Sequence, residues 1–87
     1  MDIPVLVRVT PITPSDLLLG YGDGSLRKFA CAPYLDRGVF TRLKDATLFC
    51  QAHIAQGTVC WPGGLDIVPE TLFLKSVQTA SKENVPN

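Results

Sequence analysis

Apolar and polar residues alternate through the first third of the chain, a two-residue period that reads as β-structure. Val5, Val7 and Val9 fall on one face of a strand over 5–10, with Leu6, Arg8 and Thr10 on the other. Pro11 and Pro14 exclude a helix and a central strand over 11–16, so that stretch is read as a connection. Alternation resumes at Leu17, where Leu17, Leu19 and Tyr21 share a face. Asp23-Gly24 supplies a tight turn, and Ser25 opens a return arm carrying Leu26 and Phe29. A two-residue loop would pair Tyr21 with Leu26 and Leu19 with Lys28, leaving Leu18 and Phe29 on the opposite face. Gly22 leaves a three-residue loop open, and the register with it.

Past Cys31 the pattern breaks into shorter pieces. Ala32 to Gly38 reads as a short helical turn, with Pro33 near its start and Gly38 as its stop. Val39 to Leu43 reads as an extended or turn segment with Val39, Phe40 and Leu43 facing inward. Asp45 is expected to cap a helix reaching about Gln51, with Leu48 and Phe49 as its buried stripe. So short a helix does not hold alone, so packing on a sheet must hold it. A second hairpin follows over 52–55 and 58–61, with Gln56-Gly57 as its turn and Ile54 beside Val59. Pro62-Gly63-Gly64 breaks the strand, Leu65 to Val68 is a brief extended run, and Pro69 opens a short helix through Leu74. Glu70 suits the positive end of that helix. The polar, aperiodic stretch 79–87 is expected to be a disordered tail after a single domain over 1–78. The fold class is α+β: a small, mainly antiparallel sheet built from hairpins, with one or two short helices packed on it.

Composition narrows the function classes. At 87 residues, 46% of them hydrophobic, the chain can bury one modest core. Eight basic and eight acidic residues balance to zero net charge, which gives no field suited to nucleic acid or an anionic membrane. It also gives little colloidal repulsion, so self-association is compatible with the sequence. No apolar run is long enough to span a membrane, and Met1-Asp2-Ile3-Pro4 lacks the basic start of a signal peptide. Cys31, Cys50 and Cys60 match neither a disulfide framework nor a paired metal motif, so a reducing cytoplasm is expected.

Several stretches resemble a small bacterial family catalogued as domain of unknown function 2442. They are Asp23-Gly24 with Arg27 and Phe29, Pro33-Tyr34-Leu35, Gly38-Val39-Phe40, and Leu43-Lys44-Asp45 with Phe49. The resemblance continues in Gly57-Thr58-Val59, Trp61-Pro62, Gly64, Asp66-Ile67 and Pro69-Glu70-Thr71-Leu72. It implies a small α+β domain, in some members followed by a helix-turn-helix domain. It also implies frequent encoding beside another short protein, with a suggested toxin–antitoxin role. No catalytic residue comes with the family. The chain departs from its pattern at Val68, where an acidic residue is common; Val68 cannot cap the helix at Pro69, which is expected to fray more.

The chemistry-bearing residues are few. His53 is the only histidine and has no telling carboxylate or nucleophile beside it in sequence. Cys50 and Cys60 sit in apolar contexts, where a thiol behaves as a small hydrophobe rather than a nucleophile. Three cysteines and His53 lack zinc spacing, so neither metal nor cofactor is expected. Asp36 and Arg37 can pair at the surface beside Tyr34. Trp61-Pro62-Gly63-Gly64-Leu65-Asp66 is read two ways. Either Trp61 covers one end of the core before a turn, or Trp61, Gly63, Gly64 and Asp66 form a binding lip with Tyr34 and Arg37 nearby. Asp66 is expected to satisfy turn or helix-end amides. The reading that results is a non-catalytic protein-interaction or regulatory module, antitoxin-like, whose partner is another protein. The alternative is a small-ligand sensor with Trp61, Tyr21 and Tyr34 around a pocket and Asp66 or Arg27 fixing the ligand. An enzyme using Cys60 or Cys50 with His53 ranks last.

Overall fold

The computed structural model describes residues 3–81. Its strands are β1 (Leu6–Ile12), β2 (Asp16–Tyr21), β3 (Ser25–Ala30), β4 (His53–Ala55), β5 (Thr58–Trp61), β6 (Leu65–Asp66) and β7 (Val77–Ser81). Between β3 and β4 lie two 3-10 segments, Ala32–Tyr34 and Gly38–Lys44, and helix α1 (Ala46–Phe49); α2 (Pro69–Leu74) precedes β7. The strands form two antiparallel sheets, of order β1-β2-β3-β7 and β4-β5-β6, and the fold is α+β.

The first hairpin takes the three-residue loop. Leu17 pairs with Phe29, Leu18 with Lys28, Leu19 with Arg27 and Gly20 with Leu26. The Gly24 amide donates to the Tyr21 carbonyl at 3.0 Å, and Gly24 has φ 89°, a conformation that costs glycine little. Asp23 holds the turn by accepting from the Ser25 amide at 2.9 Å and the Ser25 hydroxyl at 2.7 Å. Those bonds hold its carboxyl below the usual range. The extra loop residue corrects the two-residue register. Leu17, Leu19, Tyr21 and Phe29 now share the buried face, Arg27 rather than Lys28 joins them, and Leu26 is turned outward.

Strand β1 contains an irregularity that period-two reading misses. Leu6 pairs with Tyr21 and Arg8 with Gly20, so Val7 is an extra residue bulged out of register. The bulge puts Leu6 and Val9 on one face, Leu6 buried and Val9 packed against the core, while Val5 and Val7 are exposed. β1 runs on through Pro11 to Ile12, beyond the expected end. Pro11 is tolerated because β1 lies at the sheet edge.

The segment Gly38–Lys44 is 3-10 helix rather than extended. Its apolar residues Phe40 and Leu43 are three apart, which is one turn of a 3-10 helix. Leu43 is buried and Phe40 packs on the core, but Val39, expected inward, is 59% exposed. Asp45 caps α1 through a 2.9 Å bond from the Thr47 amide. The helix ends at Phe49 instead of Gln51, its last amides closing tighter i→i−3 bonds from Gln51 to Leu48 and Ala52 to Phe49. The second hairpin has the expected register, Ile54 opposite Val59, and Gln56 and Gly57 both take positive φ at 54° and 79°. That is the primed two-residue turn a hairpin favours.

The largest difference is β7, which extends the first sheet along β3 through residues placed in the tail. Val77, Gln78 and Thr79 are exposed, so no apolar period marks the strand; backbone pairing holds it, with Thr79 also donating to the Leu26 carbonyl at 3.2 Å. The rest of the expected tail, 82–87, lies outside the described residues. Buried side chains of both sheets meet in one cluster, with Leu17, Leu19 and Phe29 from the first and Val59, Trp61 and Leu65 from the second; Leu43, Phe49 and Leu72 complete it.

Candidate functional site

Trp61 belongs to that core. Its side chain is 2% exposed, its indole N–H donates to the Phe49 carbonyl at 2.9 Å, and its ring stacks on Phe49 with centroids 6.2 Å apart. This is the core-covering arrangement, so Trp61 cannot present its ring at a lip. Gly63 and Gly64 form an exposed turn beyond it. The Arg42 guanidinium lies over Gly63, where a Cβ would sit 2.8 Å from Nη2.

Two of the other candidates do come together. An apolar cleft of about 190 Å³ opens between the end of β3, the two 3-10 segments and the joint from β6 to α2. Buried Phe29, Cys31 and Leu43 form its base. Tyr34 and Phe40 line it from the 3-10 segments and Leu35 from the link between them, with Asp66, Ile67, Val68 and Thr71 from β6 and α2 and the joint between them. Tyr34 is held by stacking on Phe29, at 5.6 Å between centroids and 16° between planes. Arg37 stands over the Tyr34 ring at 5.9 Å rather than pairing with Asp36. Asp36 instead binds Lys44 at 2.7 Å, which lowers its pKa. Phe29, Leu43 and Phe40 were legible as apolar positions, but only the fold shows that they share one cleft.

Asp66 does not satisfy turn or helix-end amides. It lies in β6 opposite Cys60, and α2 begins three residues later, with Val68 at its cap position and no side-chain capping bond there. Among the described residues, the ion pairs Lys28–Asp16 and Lys44–Asp36 leave its carboxylate out. It is exposed at the cleft.

The sheet register also aligns His53, Cys60 and Asp66 as neighbours across β4, β5 and β6. Their chemistry is muted. The Cys60 thiol is pushed up by burial and by Asp66, and it directs its S–H to the Ala55 carbonyl at 3.6 Å. His53 Nδ1 contacts the Gln51 carbonyl at 3.2 Å instead of the thiol. Burial, with Asp16 nearby, pushes the Cys31 thiol up to about 12, so a thiolate there is scarce at neutral pH. Among the described residues no cluster of three or more His, Cys, Asp or Glu could hold a metal ion, and no helix is long and apolar enough to cross a membrane.

Tyr21 and Arg27, the other sensor candidates, form a separate cluster away from the cleft. Arg27 donates to the Ser76 hydroxyl at 2.5 Å and the Ser76 carbonyl at 2.9 Å, with its guanidinium 4.4 Å from the centroid of Phe73. Tyr21 meets Phe73 edge-on at 5.3 Å. Its hydroxyl is buried without a hydrogen-bond partner, and burial raises its pKa. This cluster ties the end of α2 to β3 and so delivers β7 to the sheet.

Over residues 6–78 the chain matches the family described as "Protein of unknown function (DUF2442)". The chain belongs to that family. No curated protein and no solved structure gives a significant match. The family match spans strands β1 to β6, the start of β7 and every residue of the cleft.

Proposed function

We propose that this member of the family is a non-catalytic interaction module, regulatory and antitoxin-like in role, which receives an apolar side chain of a protein partner in the cleft beside Tyr34. One observation carries the reading: an apolar cleft of about 190 Å³ opens onto the core residues Phe29, Cys31 and Leu43. An apolar cavity of ~150 Å³ accepts benzene, so this one has room for a single leucine or phenylalanine side chain. Val68, 59% exposed at the rim, extends the apolar contact a partner would bury. The raised thiols of Cys31 and Cys60 argue against a nucleophile at either of those two positions. Three free cysteines suit a reducing cytoplasm, and a short protein encoded nearby is the partner to look for.

The test is site-specific photo-cross-linking in the native cells, with the photoreactive residue at Val68 and a control at Leu26 on the outer sheet face. One partner captured in stoichiometric yield from Val68, and lost when Thr71→Trp fills the cleft, is the expected result. Equal capture from both positions, insensitive to Thr71→Trp, overturns it. The size of the cleft also favours a second reading, a small-ligand sensor. A ligand at 100 times its dissociation constant would stabilise the fold by ~2.7 kcal/mol in a thermal-shift screen without any protein partner.

A further inference from the structure

We infer that the cleft selects an occupant that carries a positive charge next to its apolar body: a side chain flanked by lysine or arginine in the partner. The inference rests on the proposed use of the cleft and deepens it. Nine of the ten lining residues bring no charge, and the tenth is Asp66. Its carboxylate has no ion-pair partner among the described residues. Lys44 is paired with Asp36, Arg42 lies over Gly63, and Arg37, which stands over the Tyr34 ring beside the cleft, is not among the lining residues. An apolar group seated on Phe29 and Leu43 would therefore meet one negative charge at the mouth and no fixed positive charge in the lining. A cation there gains an ion pair, whereas a carboxylate there is repelled.

Three probes of one shape separate charge from shape: 2-phenylethylammonium, neutral 2-phenylethanol and 3-phenylpropionate. Binding is read from backbone amide shifts of the full chain, with millimolar dissociation constants expected for such small ligands. The ammonium probe should bind about three- to fivefold tighter than the alcohol, the scale of an exposed ion pair, and the carboxylate probe weakest. Asp66→Asn, at an exposed strand position, should leave the fold intact and reduce the ammonium preference to none. Added salt should shrink the preference in the wild type. Equal affinity for the three probes, with shifts centred on Tyr34 and Thr71, overturns the charge selection and leaves the cleft as an apolar pocket. A preference that persists in Asp66→Asn overturns it as well. No shift at the cleft with any probe overturns both this inference and the use of the cleft on which it rests.

Discussion

Replacing Trp61 separates a core residue from a binding residue. Trp61→Ala removes a side chain that is 2% exposed, and large-to-small changes of this kind cost ~3–5 kcal/mol. It also removes the indole N–H that the Phe49 carbonyl accepts at 2.9 Å, leaving that carbonyl with the Ala52 amide at 3.3 Å, and a lost hydrogen bond of this kind costs ~0.5–1.5 kcal/mol. The two costs overlap, because a cavity that admits water would solvate the carbonyl. A chain of this length has a total stability of ~4–13 kcal/mol, so the change removes a substantial fraction of it. Trp61→Phe keeps a ring against Phe49 and loses the N–H, which isolates the hydrogen bond at ~0.5–1.5 kcal/mol. Trp61 is the only tryptophan, so its fluorescence reports wild-type unfolding, and the variants are followed by far-UV circular dichroism in urea. A loss of ~3 kcal/mol or more, equivalent to at least ~12 °C in Tm, is expected for Trp61→Ala. A variant that stays within ~1 kcal/mol of wild type yet loses its partner would place Trp61 at a surface and refute the packing argument.

Asp45→Ala removes the bond to the Thr47 amide and should lower stability by ~1 kcal/mol, seen as a shift in urea midpoint at unchanged slope. Gln56 holds φ 54° in the β4–β5 turn, so Gln56→Asn, which tolerates that region and makes the favoured Asn-Gly pair, should raise stability by up to ~1 kcal/mol; a lower midpoint would contradict the turn assignment. Cys31 is pushed up to about 12 from 9.0, so its neutral form is favoured when folded. As pH rises from about 9 toward 12 the unfolded chain loses that proton first, and stability falls by up to ~1.4 kcal/mol per unit. Cys31→Ala should remove this part of the alkaline slope; identical slopes in the two proteins would show that Cys31 is not the group responsible.

The parts of the fold legible in the sequence are those where a local rule decides the structure. Gln56-Gly57 sets a two-residue turn, and the register of Ile54 opposite Val59 follows from it. Pro69 starts α2 and Asp45 caps α1 as their residue types dictate. The misread parts depend on one residue more or less. A third loop residue at Gly22 exchanges Arg27 for Lys28 on the core face, and the bulge at Val7 brings Leu6 and Val9 to the same side. β7 has no apolar signal because it pairs at an edge with exposed side chains, and the anchor that brings it there is Arg27 bound to Ser76, 49 residues away in sequence. The cleft is invisible for the same reason. Its walls come from segments joined only by the packing of Phe29, Leu43 and Ile67.

Asp66 shows how register converts a bland residue into a candidate for recognition. Three residues before Pro69, a carboxylate is placed to serve the first amides of a helix, where hydrogen bonds would engage its oxygens. The pairing of Trp61 with Leu65 fixes the strand so that Asp66 falls opposite Cys60, outside reach of the helix cap at Val68. Neither residue then caps α2. The helix is held instead by Leu72, 1% exposed, while Val68 and Asp66 remain at the mouth of the cleft. A helix held by burial rather than by its cap does not need the carboxylate. Asp66→Asn should accordingly change stability by less than ~0.5 kcal/mol, as at other exposed positions. A larger loss would mean that Asp66 serves the fold, and its place at the cleft would then call for no partner.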